Sequence, residues 1–201
     1  APDGSCHYDE ESDAYTIHGF GMDIWNRFDD FHFAYTELNG DGSITARIDC
    51  IESEQKWTKA GVMIRAGLDP NSPNVMLLVT PAGIVSLQYR DVVSGLTRQI
   101  YAPEDHVELP HWLRLRRNEG NRFTAQHSSD GMVWHDVQDG SANKATVEIS
   151  INDTAYIGLA ADSQDATKTV LTRISNVHVT GDVSPDGFFN QSQDICLRIM
   201  P

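Results

Sequence analysis

Apolar and polar residues alternate along most of this chain, and that period of two restricts its fold more than any other feature. Residues 31–37 read Phe-His-Phe-Ala-Tyr-Thr-Glu, which puts Phe31, Phe33 and Tyr35 on one side. Successive side chains of a strand point to opposite faces, so such runs build half-buried strands. Further strands are expected at 43–51, 57–66, 74–80, 84–91, 95–101, 111–117, 121–128, 132–137, 145–150, 154–161 and 169–180. Turn chemistry separates them. Asn39-Gly40-Asp41-Gly42 supplies the positive-φ steps of a tight hairpin, Pro81-Ala82-Gly83 marks a second, and Asp69-Pro70-Asn71-Ser72-Pro73 breaks the chain. Amphipathic helical runs are nearly absent. Many short strands at this spacing make an all-β sandwich or barrel. A length of 201 residues suits a large two-sheet antiparallel jelly-roll sandwich better than an immunoglobulin-sized one.

The chain reads as one domain over residues 14–180. Residues 1–13 are acidic and read as an irregular N-terminal segment. After the last long strand the composition changes, and 181–201 reads as a short irregular C-terminal extension packing back on the domain, with Phe188, Phe189 and Cys196 as its anchors. Cys50 ends the alternating run Ile44-Ala46-Ile48-Cys50 and is expected as a buried thiol acting as a small hydrophobe. Domain termini often lie close together, so a disulfide between Cys6 and Cys196 is the preferred pairing. It would imply an oxidising compartment. The chain opens at Ala1-Pro2-Asp3-Gly4 without an initiating Met, which fits a mature product whose signal peptide has been removed, and hence a secreted or cell-surface location.

Acidic residues number 29 against 15 basic ones, a formal net charge of -14. That balance argues against nucleic acid, whose phosphates reward a basic face. No apolar run approaches the length that inserts in a membrane. Neutral partners, cationic partners and metal-bridged partners remain.

Sorting the strands by parity gives a candidate site. Ala60, Val62 and Ile64 oppose Trp57, Lys59, Met63 and Arg65; Val85, Leu87 and Tyr89 oppose Ser86, Gln88 and Arg90; Leu113 and Leu115 oppose Trp112, Arg114 and Arg116. If the aliphatic rows form the core and the strands share one sheet, Trp57, Lys59, Arg65, Gln88, Arg90, Trp112 and Arg114 line one concave face. Such a face suits a polysaccharide or glycan, whose C–H face stacks on an indole and whose hydroxyls bond to planar polar groups. The competing expectation is tryptophans packed under loops and arginines paired with the surplus acids.

Catalytic constellations are scarce. The serine-elbow, zinc-helix, P-loop and dinucleotide motifs are missing, and the eight histidines show no ligand spacing. Glycosidases need two carboxylates flanking the bond. The nearest acids, Asp49, Glu52 and Glu54, read as solvated loop charges. No organic cofactor is implied. A calcium site could use Asp41, Asp162 or Asp165 with backbone carbonyls, although no EF-type loop pattern is present.

Several segments together resemble a known family. They are Gly21-Met-Asp-Ile-Trp25, Asp30-Phe-His-Phe-Ala-Tyr35, Gly40-Asp-Gly-Ser-Ile-Thr-Ala-Arg47, Trp57-Thr-Lys-Ala-Gly-Val-Met-Ile-Arg65, Trp112-Leu-Arg-Leu-Arg116, Ser129-Asp-Gly-Met-Val-Trp134 and Tyr156-Ile-Gly-Leu-Ala160. In this order they resemble the bacterial extracellular regulation-of-enolase-like domains. Those belong to the concanavalin A-like lectin/glucanase group, related in fold to laminin G modules. The resemblance implies two curved antiparallel sheets, a secreted setting and no catalytic residues. Ser129–Trp134 also resembles an Asp-box hairpin, in which the Asp caps the turn and the Trp packs. The resulting expectation is a non-catalytic extracellular carbohydrate-binding module. The alternative is a structural or assembly module that binds protein partners or itself; a glycoside hydrolase or lyase comes third.

Overall fold

The computed structural model describes residues 4–101, 106–138, 141, 143–184 and 196–201. The strands in chain order are β1 (Ser5–Asp9), β2 (Ala14–Gly21), β3 (Asp23–Trp25), β4 (Phe28–Glu52), β5 (Lys59–Arg65), β6 (Asn74–Val79), β7 (Val85–Arg90), β8 (Arg98–Ile100), β9 (His111–Asn118), β10 (Arg122–Ser128), β11 (His135–Asp136), β12 (Thr146–Glu148), β13 (Thr154–Asp162), β14 (Asp165–Val183) and β15 (Cys196–Ile199). Every pairing between them is antiparallel. The chain is an all-β jelly-roll sandwich.

Its two layers are joined through β4. The first half of β4 pairs with β13, and the sheet continues through β5, β6 and β7 to β8. The second half pairs with β14 on one side and β9 on the other, with β2, β1 and β10 beyond them. Asn39-Gly40-Asp41-Gly42, expected as a hairpin, is instead the place where one 25-residue strand passes between layers. Gly40 has φ +71°, a left-handed step that glycine takes without a Cβ penalty, and its amide donates to the Asp153 carbonyl at 2.9 Å. The register against β14 shifts at the same point, between Gly181 and Asp182. A turn-forming sequence here bends a strand rather than reversing it.

The aliphatic rows face each other as parity requires. Ala60, Val62, Ile64, Val75, Leu77 and Leu87 from the first layer share one core with Ile44, Ala46, Ile48, Leu113, Leu115 and Phe123 from the second. Each such side chain stabilises the fold by about 1.5–3 kcal/mol through lost water contact. The opposite parity of the first layer is not wholly polar. Phe31, Phe33, Met63, Met76, Leu78 and Ala160 form a second buried cluster on its outer face, closed over by Ile24 of β3 and Ile199 of β15. Phe33 stacks on Tyr35 at 5.3 Å.

The chain ends depart from expectation. Residues 5–9, expected to be irregular, form β1 against β2. Part of the C-terminal extension returns as β15 beside Phe31–Ala34; Phe188 and Phe189 lie outside the described residues. The expected Cys6–Cys196 disulfide does not form. Cys6 is a buried thiol that packs with Tyr15 and Ile17 in the main core, behaving as a small hydrophobe, whereas Cys196 pairs in register with Ala34 on another strand. The roles expected of the cysteines are thus exchanged: Cys50, expected in the core, is only half-buried.

Candidate functional site

The outer face of the first layer carries a hollow of about 270 Å³ lined by Asp23, Trp25, Trp57, Lys59, Gln88, Gln99 and Gln164. Three of the expected site residues, Trp57, Lys59 and Gln88, meet here. Lys59 and Gln88 do so because β5 and β7 flank β6 in one sheet and both side chains have the outward parity. Trp57 stands at the rim, 45% exposed.

Each wall is positioned by identifiable contacts. Lys59 is almost buried; its Nζ donates to Asp23 Oδ1 and, at 2.9 Å, to the Ile24 carbonyl. Gln164 Nε2 donates to the same Asp23 oxygen. The Lys59 ammonium also lies 5.5 Å from the Trp25 ring centroid, so β5 holds β3 in place by charge and by cation–π attraction. On the far wall Gln88 Nε2 approaches Gln99 Oε1 at 3.4 Å. Gln88 Oε1 and the neighbouring Ser86 Oγ are buried without a hydrogen-bond partner among the described residues. Ser86 lies in a small annex that also touches Trp57, Lys59, Gln88, Gln99 and Tyr101. Unfilled acceptors cost free energy unless something completes them.

Asp162 sits on β13 directly opposite Lys59 and has no exposed surface. Neither carboxylate oxygen has a hydrogen-bond partner among the described residues. Burial, against the opposing pull of Lys59 and with the help of Asp23, pushes its pKa up to about 7. Asp162 therefore lies behind the site rather than in it.

Arg65 and Arg90 share the outward parity but are wholly buried, and Asp29 is the reason. Arg90 Nη2 donates to Asp29 Oδ1 at 2.5 Å and its Nη1 to Oδ2 at 2.9 Å, while Arg65 Nη1 reaches Oδ2 at 3.3 Å. Backbone carbonyls take other donors: Gly67 and Asp69 from Arg65, Ser72 from Arg90. Burial draws the Arg65 pKa down to about 10 against the pull of Asp29. These arginines do not present donors to solvent. They secure the Trp25–Phe28 hairpin, whose Asn26 carbonyl accepts from the Thr97 amide at 2.8 Å and from Arg90 Nη2 at 3.4 Å. Asn26 turns that hairpin at φ +53°, a conformation asparagine tolerates.

Trp112 and Arg114 are not on this face. They lie on β9, which pairs with β4 and β10 in the other layer. Arg114 stacks 3.6 Å from the Trp134 ring, and the indole of Trp112 lies against Gly131. The hairpin above them has the Asp-box arrangement: Asp130 Oδ1 accepts from the Met132 and Val133 amides at 2.8 Å each, and Trp134 Nε1 donates to the Gly131 carbonyl at 3.1 Å. Gly131, at φ +73°, has no room for a Cβ above Trp112. This pair staples a hairpin.

The acids considered for calcium do not converge. Asp165 accepts from the amide and hydroxyl of Thr167, Asp41 is exposed at the β4 crossing, and Asp162 is sealed beneath Lys59. Among the described residues no group of three or more His, Cys, Asp or Glu is arranged to hold a metal. Asp49, set aside as a catalytic candidate, bonds to Arg47 at 2.8 Å and Ser175 at 3.0 Å.

Sequence reasoning missed Asp23, Trp25, Gln99 and Gln164 as walls and Asp29 as the anchor. Asp29 carried a readable signal, since it is in phase with Phe31 and Phe33 and an acid in phase with a buried row requires a buried cation. Gln99 and Gln164 had none, for they reach the hollow from a three-residue strand and from a turn.

No family model matches the chain, and no curated protein matches it. Solved structures do. A protein of unknown function from Saccharomyces cerevisiae is similar with a TM-score of 0.67 at 16% identity, over 90% of this chain and 97% of that one. Xylan β-1,4-xylosidase from Bacillus halodurans C-125 follows at 0.58 and 12%, over 85% of this chain but 34% of the xylosidase, so the likeness spans about a third of that enzyme. A legume lectin-like domain from Entamoeba histolytica is similar at 0.55 and 10%, over 89% and 88%. These likenesses agree with a jelly-roll β-sandwich fold. No helix among the described residues is long and apolar enough to cross a membrane.

Proposed function

We propose that this chain is a non-catalytic, extracellular carbohydrate-binding module that takes its ligand in the hollow between Trp57 and Trp25. One observation carries the reading: two indoles border a cavity whose far wall is formed by the side-chain amides of Gln88 and Gln99, and behind it Gln88 Oε1 and Ser86 Oγ have no hydrogen-bond partner among the described residues. Indoles receive the C–H face of a sugar, and side-chain amides on the wall exchange hydrogen bonds with its hydroxyls. The lectin-like fold and the narrower resemblance to extracellular enolase-regulation-type domains support the same reading. Binding without turnover is favoured by the acids present. Asp23 is engaged by Lys59 and Gln164, and Asp162 has no surface, whereas bond cleavage calls for two carboxylates that reach the glycosidic oxygen.

Affinity electrophoresis in gels containing soluble polysaccharides, followed by calorimetric titration, tests this. Trp57→Ala and Gln88→Ala should each weaken retardation about tenfold, a loss of roughly 1.4 kcal/mol, with melting temperatures near that of the parent. Unchanged binding in both variants would remove the site.

A second reading has one observation behind it. Val92, Val93 and Leu96 are more than half exposed on the loop between β7 and β8, which fits a protein–protein platform. Sedimentation over a wide concentration range distinguishes it, because self-assembly through that loop would raise the apparent mass.

A further inference from the structure

The hollow does not end at Trp25. A second one, of about 660 Å³, lies beyond it, shares Asp23, Trp25 and Gln164 with the first, and is lined further along by Asn26, Arg27, Phe28 and Leu96. Trp57, Trp25 and Phe28 therefore follow one another along a single path. The outer two are 45% and 48% exposed, an arrangement that costs free energy in water unless a ligand covers the rings. Trp25 and Phe28 face each other across the hairpin of β3 and β4, and the buried Arg90–Asp29 pair fixes that hairpin from behind.

The charges along the path are largely neutralised from within. Lys59 is held by Asp23, and Asp30 takes Arg198 Nε at 3.1 Å. Arg27 Nη1 donates to the Ser94 carbonyl at 2.7 Å; of these cations it alone has no carboxylate partner among the described residues. That guanidinium and the Lys56 ammonium, 5.6 Å from the Trp57 ring centroid, stand against a chain of net charge -14, which repels a polyanion at range.

We propose that the ligand is a neutral glycan chain bound along its length, over the rings of Trp57, Trp25 and Phe28 in turn, rather than a single terminal sugar. The inference rests on the carbohydrate reading above and specifies its ligand. Each unit that reaches the next ring adds contact area without a new charge to desolvate, so affinity grows with length until Phe28 is covered.

Calorimetric titration of the full chain with cello-, xylo- and manno-oligosaccharides of two, four and six units, and with oligogalacturonates of the same lengths, tests this. The best neutral series should bind about tenfold or more tightly at six units than at two. Oligogalacturonates should bind more weakly at every length. Phe28→Ala should erase the gain with length, and Phe28→Leu, which keeps the bulk and loses the ring face, should reduce it. Equal affinity at two and six units would overturn the inference and leave the carbohydrate reading standing, as would preference for the galacturonates. Failure of every neutral and acidic probe to bind would overturn both.

Discussion

Arg90 and Asp29 form a two-pronged ion pair with both side chains wholly buried, 61 residues apart in the chain and directly behind the hairpin that carries Trp25 and Phe28. The parallel donors match the carboxylate fork, and Arg65 supplies a second cation to the same acid. Two guanidiniums therefore depend on one carboxylate.

That asymmetry predicts an order of damage. Asp29→Ala leaves two buried cations without a counter-charge and should cost about 3–5 kcal/mol, the usual penalty for breaking a buried pair. Arg90→Met leaves Asp29 with Arg65 and should cost less. Thermal unfolding of both variants checks the order; an Asp29→Ala melting temperature equal to the parent's would show that the pair has no structural weight.

Asp162 should make the fold less stable as pH rises. Its folded-state pKa, about 7, lies above the ordinary value of 3.8, so between those limits the folded state holds a proton that the unfolded state has released. The contribution of Asp162 to stability falls from pH 4 to 7 and levels off above, each tenfold displacement of the proton equilibrium being worth about 1.4 kcal/mol. Asp162→Asn removes the titration. Its melting temperature should exceed the parent's at pH 8, and the advantage should shrink towards pH 4. Parallel melting curves across that range would refute the assignment.

His111 acts in the opposite sense. Its Nε2 lies 3.0 Å from His127 Nδ1, and His127 packs 6.0 Å from His135. Burial first, then the two neighbouring imidazoles, draw the His111 pKa down from 6.5 to about 4. The unfolded state therefore binds the extra proton first, and stability is lost as pH falls from about 6.5 to 4. His111→Gln, which retains hydrogen-bonding capacity, should flatten that acid limb. An unchanged slope would place the acid sensitivity elsewhere.

The cysteine arrangement predicts indifference to reductant. Alkylation in denaturant without prior reduction should label Cys6 and Cys50 fully, because neither is joined in a disulfide. The melting temperature should not move with added thiol. A drop on reduction would restore the abandoned bridge.

Parity told which side of each strand is oily, and the core followed from it: Val62 meets Leu77 across β5 and β6, and Ile44 meets Leu115 across β4 and β9, in one interior. Parity does not tell which sheet a strand joins. Trp112 and Arg114 have the same outward phase as Lys59 and Gln88, yet β9 pairs with the second half of β4, on the layer away from the hollow. Nor does it separate a solvent-facing guanidinium from one turned onto an acid. Arg65 and Arg90 read as exposed until Asp29 is placed between them.

The amino-acid order alone thus located most of the strands between residues 31 and 180, their oily sides and the two-layer architecture, because alternation and turn residues act between near neighbours. Only the folded arrangement decided which side chains share the hollow, that Gly40 carries β4 between layers instead of reversing it, and that Cys6 packs in the core. Those outcomes depend on hydrogen-bond pairing and charge compensation between residues tens of positions apart, where no short-range pattern records the partner.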